Sequence, residues 1–302
     1  MKVLFLGSSQ FSAIVLKVML QEGINIVGLI TQPDRPCGRG HRLTPNNAKI
    51  LAEANGIPCF CYDKMKEHKE EIEAIDYDIS VVASFGQILP KWFLEHKLCI
   101  NVHPSLLPKY RGASPIQNAI LNGDGVTGVT IMKVAMEVDS GDIILQEEYK
   151  MQGEYYSQLE LALGKLGGKM AATAVMQAKD GSITFTPQEH DKAVHVQKFS
   201  KEDGLLDFNN SAAALENRVR ALSELVGCYF MIDGQPIKVV KAKAIDEQLE
   251  KGVVGNNKKR FIIGTSSGAL EILECKAPSG KTVRGQDYLN GHNEILGAKV
   301  NV

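Results

Sequence analysis

The chain of 302 residues has no long hydrophobic run: its uncharged apolar stretches, of which residues 81–90 are typical, fall far short of the roughly 20 residues that a membrane-spanning helix requires. Its opening, Met1-Lys2-Val3-Leu4-Phe5-Leu6, runs straight into Gly7 and reads as a first buried strand, not as a secretory leader. Neither charge sign prevails, with 34 basic against 35 acidic side chains. That balance excludes a chain that is basic throughout, yet it leaves room for a local basic patch facing an anionic partner. Cysteine is sparse and scattered: Cys37, Cys59, Cys61, Cys99, Cys228 and Cys275 contain no Cys-x-x-Cys, so no zinc ribbon, other metal site or disulfide framework is expected. A cytoplasmic chain without a membrane role is the natural expectation. Two phosphate-binding loops are also missing. The first turn, Gly7-Ser8-Ser9-Gln10-Phe11, has one glycine where a dinucleotide fingerprint needs three, and the second strand ends Ile30-Thr31-Gln32 without an acid. With no Walker A motif either, dehydrogenase and nucleotide-triphosphate chemistry are disfavoured.

What is present in the first half is alternation. Strand-like runs at 2–6, 24–30, 58–61 and 79–83 are separated by helix-like stretches at 11–20, 47–55 and 64–74. This predicts an α/β fold, a Rossmann-like doubly wound and mostly parallel sheet with helices on both faces. Two strands at 129–134 and 143–149 flank Asp139-Ser140-Gly141-Asp142. A long helix at 156–178 then carries Leu159, Leu163, Leu166, Met170 and Ala174 on one stripe. Residues 188–202 are polar and read as a linker or surface strap. Beyond a short helix at 211–222 come short strands at 228–232, 237–245, 261–263 and 270–275, with a hairpin signal at Asp233-Gly234; that spacing favours a small, OB-like β-barrel. The expected organisation is a catalytic domain at 1–187, a linker at 188–206 and a barrel domain at 207–302, with no internal repeat.

The densest polar stretch is Cys99-Ile100-Asn101-Val102-His103-Pro104-Ser105-Leu106-Leu107-Pro108-Lys109-Tyr110-Arg111-Gly112. A short apolar strand delivers Asn101 and His103 two residues apart, so on extended chain both side chains share a face at the strand's carboxyl end, where ligands of doubly wound sheets bind. Pro104 and Pro108 stiffen the loop after the strand. A lone histidine at a strand end is more often a hydrogen-bonded structural residue. The asparagine two places earlier and the stiff loop set a functional reading beside that one.

Residues 101–108, followed by Asp139-Ser140-Gly141-Asp142, closely resemble the signature of the folate-dependent formyltransferases. Thr31-Gln32-Pro33-Asp34-Arg35-Pro36-Cys37-Gly38-Arg39-Gly40 and Tyr110-Arg111-Gly112-Ala113-Ser114-Pro115-Ile116-Gln117 look like the branch of that family that formylates methionine on initiator tRNA, and the barrel-like half extends the match over nearly the whole chain. The resemblance implies a formyltransferase fold, 10-formyltetrahydrofolate as donor, initiator Met-tRNA as acceptor and no obligate protein partner. Formyl transfer to an amine requires stabilisation of an oxyanion and net proton movement from the amine to the leaving N10 nitrogen. By the family pattern Asn101 and His103 would donate to the oxyanion, with Asp139 favouring the protonated ring and relaying a proton. The acid of the pattern follows an apolar residue and precedes two small ones, which fits Val138-Asp139-Ser140-Gly141 and leaves Asp142 as a turn or capping residue. Ser105, Leu106, Leu107 and Pro108 would line the folate site, with Phe85, Gly86, Ile88 and Leu89 giving backbone contacts and an apolar wall. The amine is itself the nucleophile, so Ser105 and Cys99 need no covalent role.

For the tRNA, Arg35, Arg39 and Arg42 stand against the single acid Asp34 in a loop with Gly38, Gly40 and Pro36. Taken alone, a run this short reads as a solvated basic loop. Residues 207–302 hold 13 basic and 11 acidic side chains, a weak asymmetry in the direction an RNA-facing domain needs; Lys258, Lys259 and Arg260 are the strongest candidates there. Two alternatives stay open: a formyltransferase for an amino sugar or other small amine, which needs no basic loop, and an RNA-binding protein without catalysis. The first turn also departs from the family's Gly-Thr-Pro-x-Phe, from which a less rigid turn is expected.

Overall fold

Val3, Leu4, Phe5 and Leu6 are all fully buried, and four consecutive buried apolar side chains fit a strand covered on both faces. They form β1 (Lys2–Leu6), followed by α1 (Gln10–Gln21) and β2 (Asn25–Thr31). The computed structural model describes residues 1–37, 42–257, 260–277 and 280–301, and of residues 37, 42, 256 and 257 it describes the main chain. The antiparallel pair β3 (Arg35–Cys37) and β4 (Arg42–Thr44) precedes α2 (Asn47–Ala54), β5 (Cys59–Cys61), α3 (Lys69–Glu73), β6 (Ile79–Val82), α4 (Lys91–His96) and β7 (Cys99–His103). Next come β8 (Arg111–Gly112), α5 (Pro115–Leu121), β9 (Val126–Lys133), β10 (Ile143–Lys150), α6 (Tyr156–Asp180) and β11 (His195–Val196).

The main sheet has the order β10-β9-β7-β6-β1-β2-β5. Its strands from β5 to β7 are parallel, and β9 and β10 are added antiparallel beyond β7. This is the α/β class that the alternation predicts. The chain winds one way from β1 through β2 to β5 and the other way from β6 to β7, so the order reverses beside β1, where such sheets bind ligands at the carboxyl ends of their strands. The first turn sits there. Contrary to the expectation of a looser turn, Ser9 caps α1 in a capping box with Ser12, the Ser8 N–H donates to Ser12 Oγ (3.1 Å), and Ser12 Oγ donates to the Ala83 carbonyl. The expected helix at 64–74 is divided into a single turn at Met65–Glu67 and α3, because His68 leaves helical geometry to stack on Tyr62 with ring centroids 4.1 Å apart.

The chain forms two compact units. The first comprises residues 1–115, 126–150 and 160–196; the second takes in 116–125, 151–159 and 197–302. Residues 188–196, expected as the start of a linker, thus lie within the first unit, because β11 pairs with β8 there. In the second unit, α7 (Ala212–Leu222) precedes β12 (Cys228–Ile232), β13 (Gln235–Ile245), β14 (Val254–Asn257), β15 (Arg260–Gly264), β16 (Ala269–Lys276), β17 (Thr282–Arg284) and α8 (Gly285–Gly291). These strands pair antiparallel as a half-barrel, and the expected hairpin falls at Asp233 and Gly234, both at positive φ. Its core is built on aromatic contacts from Phe208 through Phe230 and Phe261 to Tyr288, at centroid spacings of 5.9, 6.2 and 6.1 Å. Among the described residues no helix is long and apolar enough to cross a membrane.

Candidate active site

β7 runs between β6 and β9, with Asn101 opposite Met132 and His103 opposite Thr130 of β9. The strand continues through His103, three residues further than its apolar run, and the two-residue period does put Asn101 and His103 on one face. The loop after it is stiff for more reasons than its prolines. Thr130 Oγ1 donates to the Ser105 carbonyl at 2.7 Å and accepts from the Leu107 N–H at 3.1 Å, while Gln146 Nε2 donates to the Leu107 carbonyl at 2.9 Å. Ser105 is fully buried and its hydroxyl donates to the Lys109 carbonyl at 2.6 Å, so it braces the loop from within. Leu107 is buried and Leu106 and Pro108 are partly exposed.

Asp139 reaches the same place from the segment between β9 and β10. Its backbone is left-handed, at φ 51°. Its Oδ2 accepts the Gly112 N–H at 2.8 Å and lies 3.5 Å from His103 Nδ1; its Oδ1 accepts from Asn101 Nδ2 at 3.4 Å. Of these contacts, the one to the Gly112 N–H is the shortest. His103 Nε2 stands 2.9 Å from the Tyr110 carbonyl, which can only accept, so Nε2 is the protonated nitrogen. Nδ1 is then the ring nitrogen that faces the Asp139 carboxyl. Asp142 is partly buried, and its carbonyl accepts the Lys133 N–H at 2.9 Å.

The second expected folate segment lies at the end of β6. Gln32 Nε2 and Ser8 Oγ donate to the Phe85 carbonyl at 3.0 and 3.3 Å, and Gln87 is anchored to the main chain of Met65 and Tyr62. Phe85 and Leu89 are buried in the core, and Gly86 takes φ 79°. Ile88, by contrast, projects from the loop 89% exposed. Of the residues expected to meet tRNA, Arg35 is exposed on β3, and Asp34 beside it is neutralised by Lys49 at 2.7 Å. Arg42 lies on β4, its side chain outside the described part, and Arg39, Lys258 and Lys259 fall outside the described residues. Arg260 opens β15, and its guanidinium pairs with Glu247 and, at 3.7 Å, with Glu271. Among the described residues no cluster of three or more His, Cys, Asp or Glu side chains offers a metal site.

Sequence reasoning missed the groups that hold Asp139. The Gly112 N–H is one. Gln188 is another: it is buried at 5% exposure, and its Nε2 donates to the Asp139 and Gly141 carbonyls at 2.9 and 2.7 Å. Arg111, 2% exposed, donates in turn to Gln188 Oε1. The place of Arg111 within the dense polar stretch was the one available signal; Gln188 carried none.

Comparison with known proteins accords with this geometry. The model of the formyl transferase family matches residues 1–175, and that of the formyl transferase C-terminal domain matches 198–293. Over 299 residues the chain is 37% identical to a methionyl-tRNA formyltransferase of Thermotoga neapolitana, covering 96% of this chain and 95% of that one. The fold is similar to that of an N-formyltransferase from Helicobacter canadensis solved with folinic acid and dTDP-3-aminofucose (TM-score 0.67, 18% identity, 90% of this chain and 98% of that one). It is also similar to HypX from Aquifex aeolicus in complex with tetrahydrofolic acid (TM-score 0.66, 16% identity, 97% of this chain), of which it spans about half, 48% of the length.

Proposed function

Since the chain belongs to the formyl transferase family, among its methionyl-tRNA formyltransferases, we propose that Asn101, His103 and Asp139 form the centre that moves a formyl group from 10-formyltetrahydrofolate to the α-amino group of methionine on initiator tRNA. The observation that carries this reading is their convergence: a strand and a loop 38 residues apart in sequence bring an amide donor, an imidazole and a carboxylate together. When bound, the reduced folate supplies an activated formyl group on its N10 nitrogen. The Asn101 amide, whose contact to Asp139 is long at 3.4 Å, can turn its N–H to the formyl oxygen as that oxygen gains charge; such a donor contributes about 10²- to 10³-fold. His103 and Asp139 hold the proton that the leaving nitrogen needs, and Asp139 accepts the one that the amine gives up, directly or through water; this transfer is worth about 10²- to 10⁴-fold. The exposed Ile88, together with Leu106 and Pro108, offers apolar surface that suits a flat pterin. Arg35, Arg39, Arg42, Lys258, Lys259 and Arg260 supply positive charge for the tRNA, with the first unit as the catalytic part and residues 207–302 as the RNA-facing part.

Purified protein incubated with 10-formyltetrahydrofolate and either Met-tRNA or a free amino sugar separates this reading from the small-amine one. Mass analysis is expected to find N-formylmethionine on the tRNA. Formylation of the sugar alone would overturn the choice of acceptor, and no turnover on any amine would favour a binding protein.

A further inference from the structure

The segment 188–196 grips the candidate centre from both sides. Its β11 pairs with β8 through Arg111 N–H to the Val194 carbonyl (2.8 Å) and Ala113 N–H to the Val196 carbonyl (3.2 Å). Between those two bonds lies Gly112, whose N–H points at the Asp139 carboxylate, and just before them lies Tyr110, whose carbonyl takes the His103 Nε2–H. At its other end the segment sends Gln188 inward. Gln188 Oε1 accepts two bonds from the buried Arg111, from Nε at 3.1 Å and Nη2 at 2.8 Å, and its Nε2 donates to the Asp139 and Gly141 carbonyls. Arg111 Nη2 also approaches His190 Nδ1 at 3.1 Å.

We propose that Gln188 is a positioning residue of this enzyme, holding the Asp139 loop in the left-handed conformation that points the carboxylate at His103 and Asn101. The inference rests on the proposed role of Asp139 as the acid of the centre. The chemistry is particular to glutamine. Its carboxamide accepts at one end and donates at the other, so a single buried side chain satisfies the Arg111 guanidinium and two loop carbonyls together. Glutamate would keep the bond to Arg111, as an ion pair, but would set a second acceptor against two carbonyl oxygens. A non-glycine residue at positive φ is held there by its surroundings. With the two donated bonds gone, the backbone at Asp139 is free to leave that region, and the carboxylate moves with it.

The test uses the full chain with Gln188→Glu, Gln188→Met and Asp139→Asn, measuring kcat, KM for the formyl donor and for Met-tRNA, thermal stability, and kcat against pH. Gln188→Glu is expected to lower kcat at least tenfold near neutral pH with both KM values within about twofold of wild type. The introduced carboxyl can donate to a carbonyl only when protonated, so the ratio of wild-type to variant kcat should narrow as pH falls. Gln188→Met, which has no donor at any pH, should show the loss without the narrowing. A merely structural role would lower stability without producing that difference between the two pH profiles. Gln188→Glu with kcat within twofold of wild type, in a protein that Asp139→Asn inactivates, would overturn the positioning role alone. Turnover by Asp139→Asn would overturn the underlying assignment of the acid, and the positioning role with it. If Gln188→Glu does not fold, Gln188→Met carries the decision through its kcat.

Discussion

Replacing Gly112 by alanine tests whether the two-residue pairing of β8 and β11 is what aims Asp139. Gly112 has φ 109°, outside the range that L-residues adopt, and a Cβ there would stand 2.3 Å from the Val196 carbonyl oxygen, more than 1 Å inside ordinary contact. That neighbour is backbone, so it cannot rotate away. Strain at such a φ costs about 1–3 kcal/mol. Relieving the clash opens the bonds from Arg111 N–H to Val194 and from Ala113 N–H to Val196, each worth about 1 kcal/mol net. A combined loss of about 3–5 kcal/mol lowers Tm on the order of 10 °C for a unit of this size. The catalytic effect comes from the Gly112 N–H, which sits 2.8 Å from Asp139 Oδ2; moving it by the distance the clash demands misplaces the carboxylate, and misplacement by about 1 Å costs on the order of 100-fold in rate. Single-turnover formylation of Met-tRNA and a thermal melt measure the two losses. Gly56→Ala is the control, since Gly56 has φ 68° and nothing within 4 Å of its Cβ position: it should lose about 1 kcal/mol of stability and no activity. Should Gly112→Ala turn over within twofold of wild type and melt with Gly56→Ala, the pairing does not aim the carboxylate.

Asp139→Asn should abolish turnover while donor binding, read by isothermal titration, stays close to wild type, and Asp142→Asn should remain active; the reverse pattern would move the acid to Asp142. Replacing Arg39 by alanine should raise KM for Met-tRNA several-fold with a shallower salt dependence and leave kcat largely intact, since a phosphate contact contributes binding that falls with salt; an unchanged KM would remove the basic loop from recognition. Burial pushes the thiols of Cys99, Cys228 and Cys275 up to about 12 from an ordinary value of 9.0. In the unfolded chain they ionise from about pH 9 while the folded chain keeps them protonated, so their stabilising contribution is complete below that pH and is lost as pH rises towards 12, by about 1.4 kcal/mol per pH unit for each thiol. Urea unfolding at pH 8.0 and 10.5 should show the fall, and Cys99→Val should make it smaller; an equal fall in that variant would assign it to other groups.

The part of the fold that was legible is the part held by apolar periodicity. β1 and α1 follow from residues 2–6 and 11–20, and in α6 Leu159, Leu163, Met170 and Ala174 are buried as their spacing predicts. The expected helix at 64–74 did not form as one piece, because a single side-chain contact, His68 on Tyr62, outweighs a helical pattern this short. β8 and β11 are two residues each and polar around their ends. No period can announce such strands; each exists because the other is opposite.

The site divides along the same line, and the division explains why the polar segment at 188–202 gave no sign of its buried glutamine. Asn101 and His103 are legible through the period of two on β7, whereas Asp139 is a loop residue whose place depends on the family pattern. Gln188 looked like a linker residue because a glutamine in solvent and a glutamine satisfying three buried groups are the same letter. What tells them apart is an account of partners. A guanidinium as buried as that of Arg111 must find acceptors, and the left-handed turn at Asp139 turns its own carbonyl and that of Gly141 to a common donor. The acceptors that Arg111 needs and the donors that the loop needs are both supplied by one carboxamide. The contacts at the position call for a side chain that accepts at one end and donates at the other, although nothing in its neighbours along the chain says so.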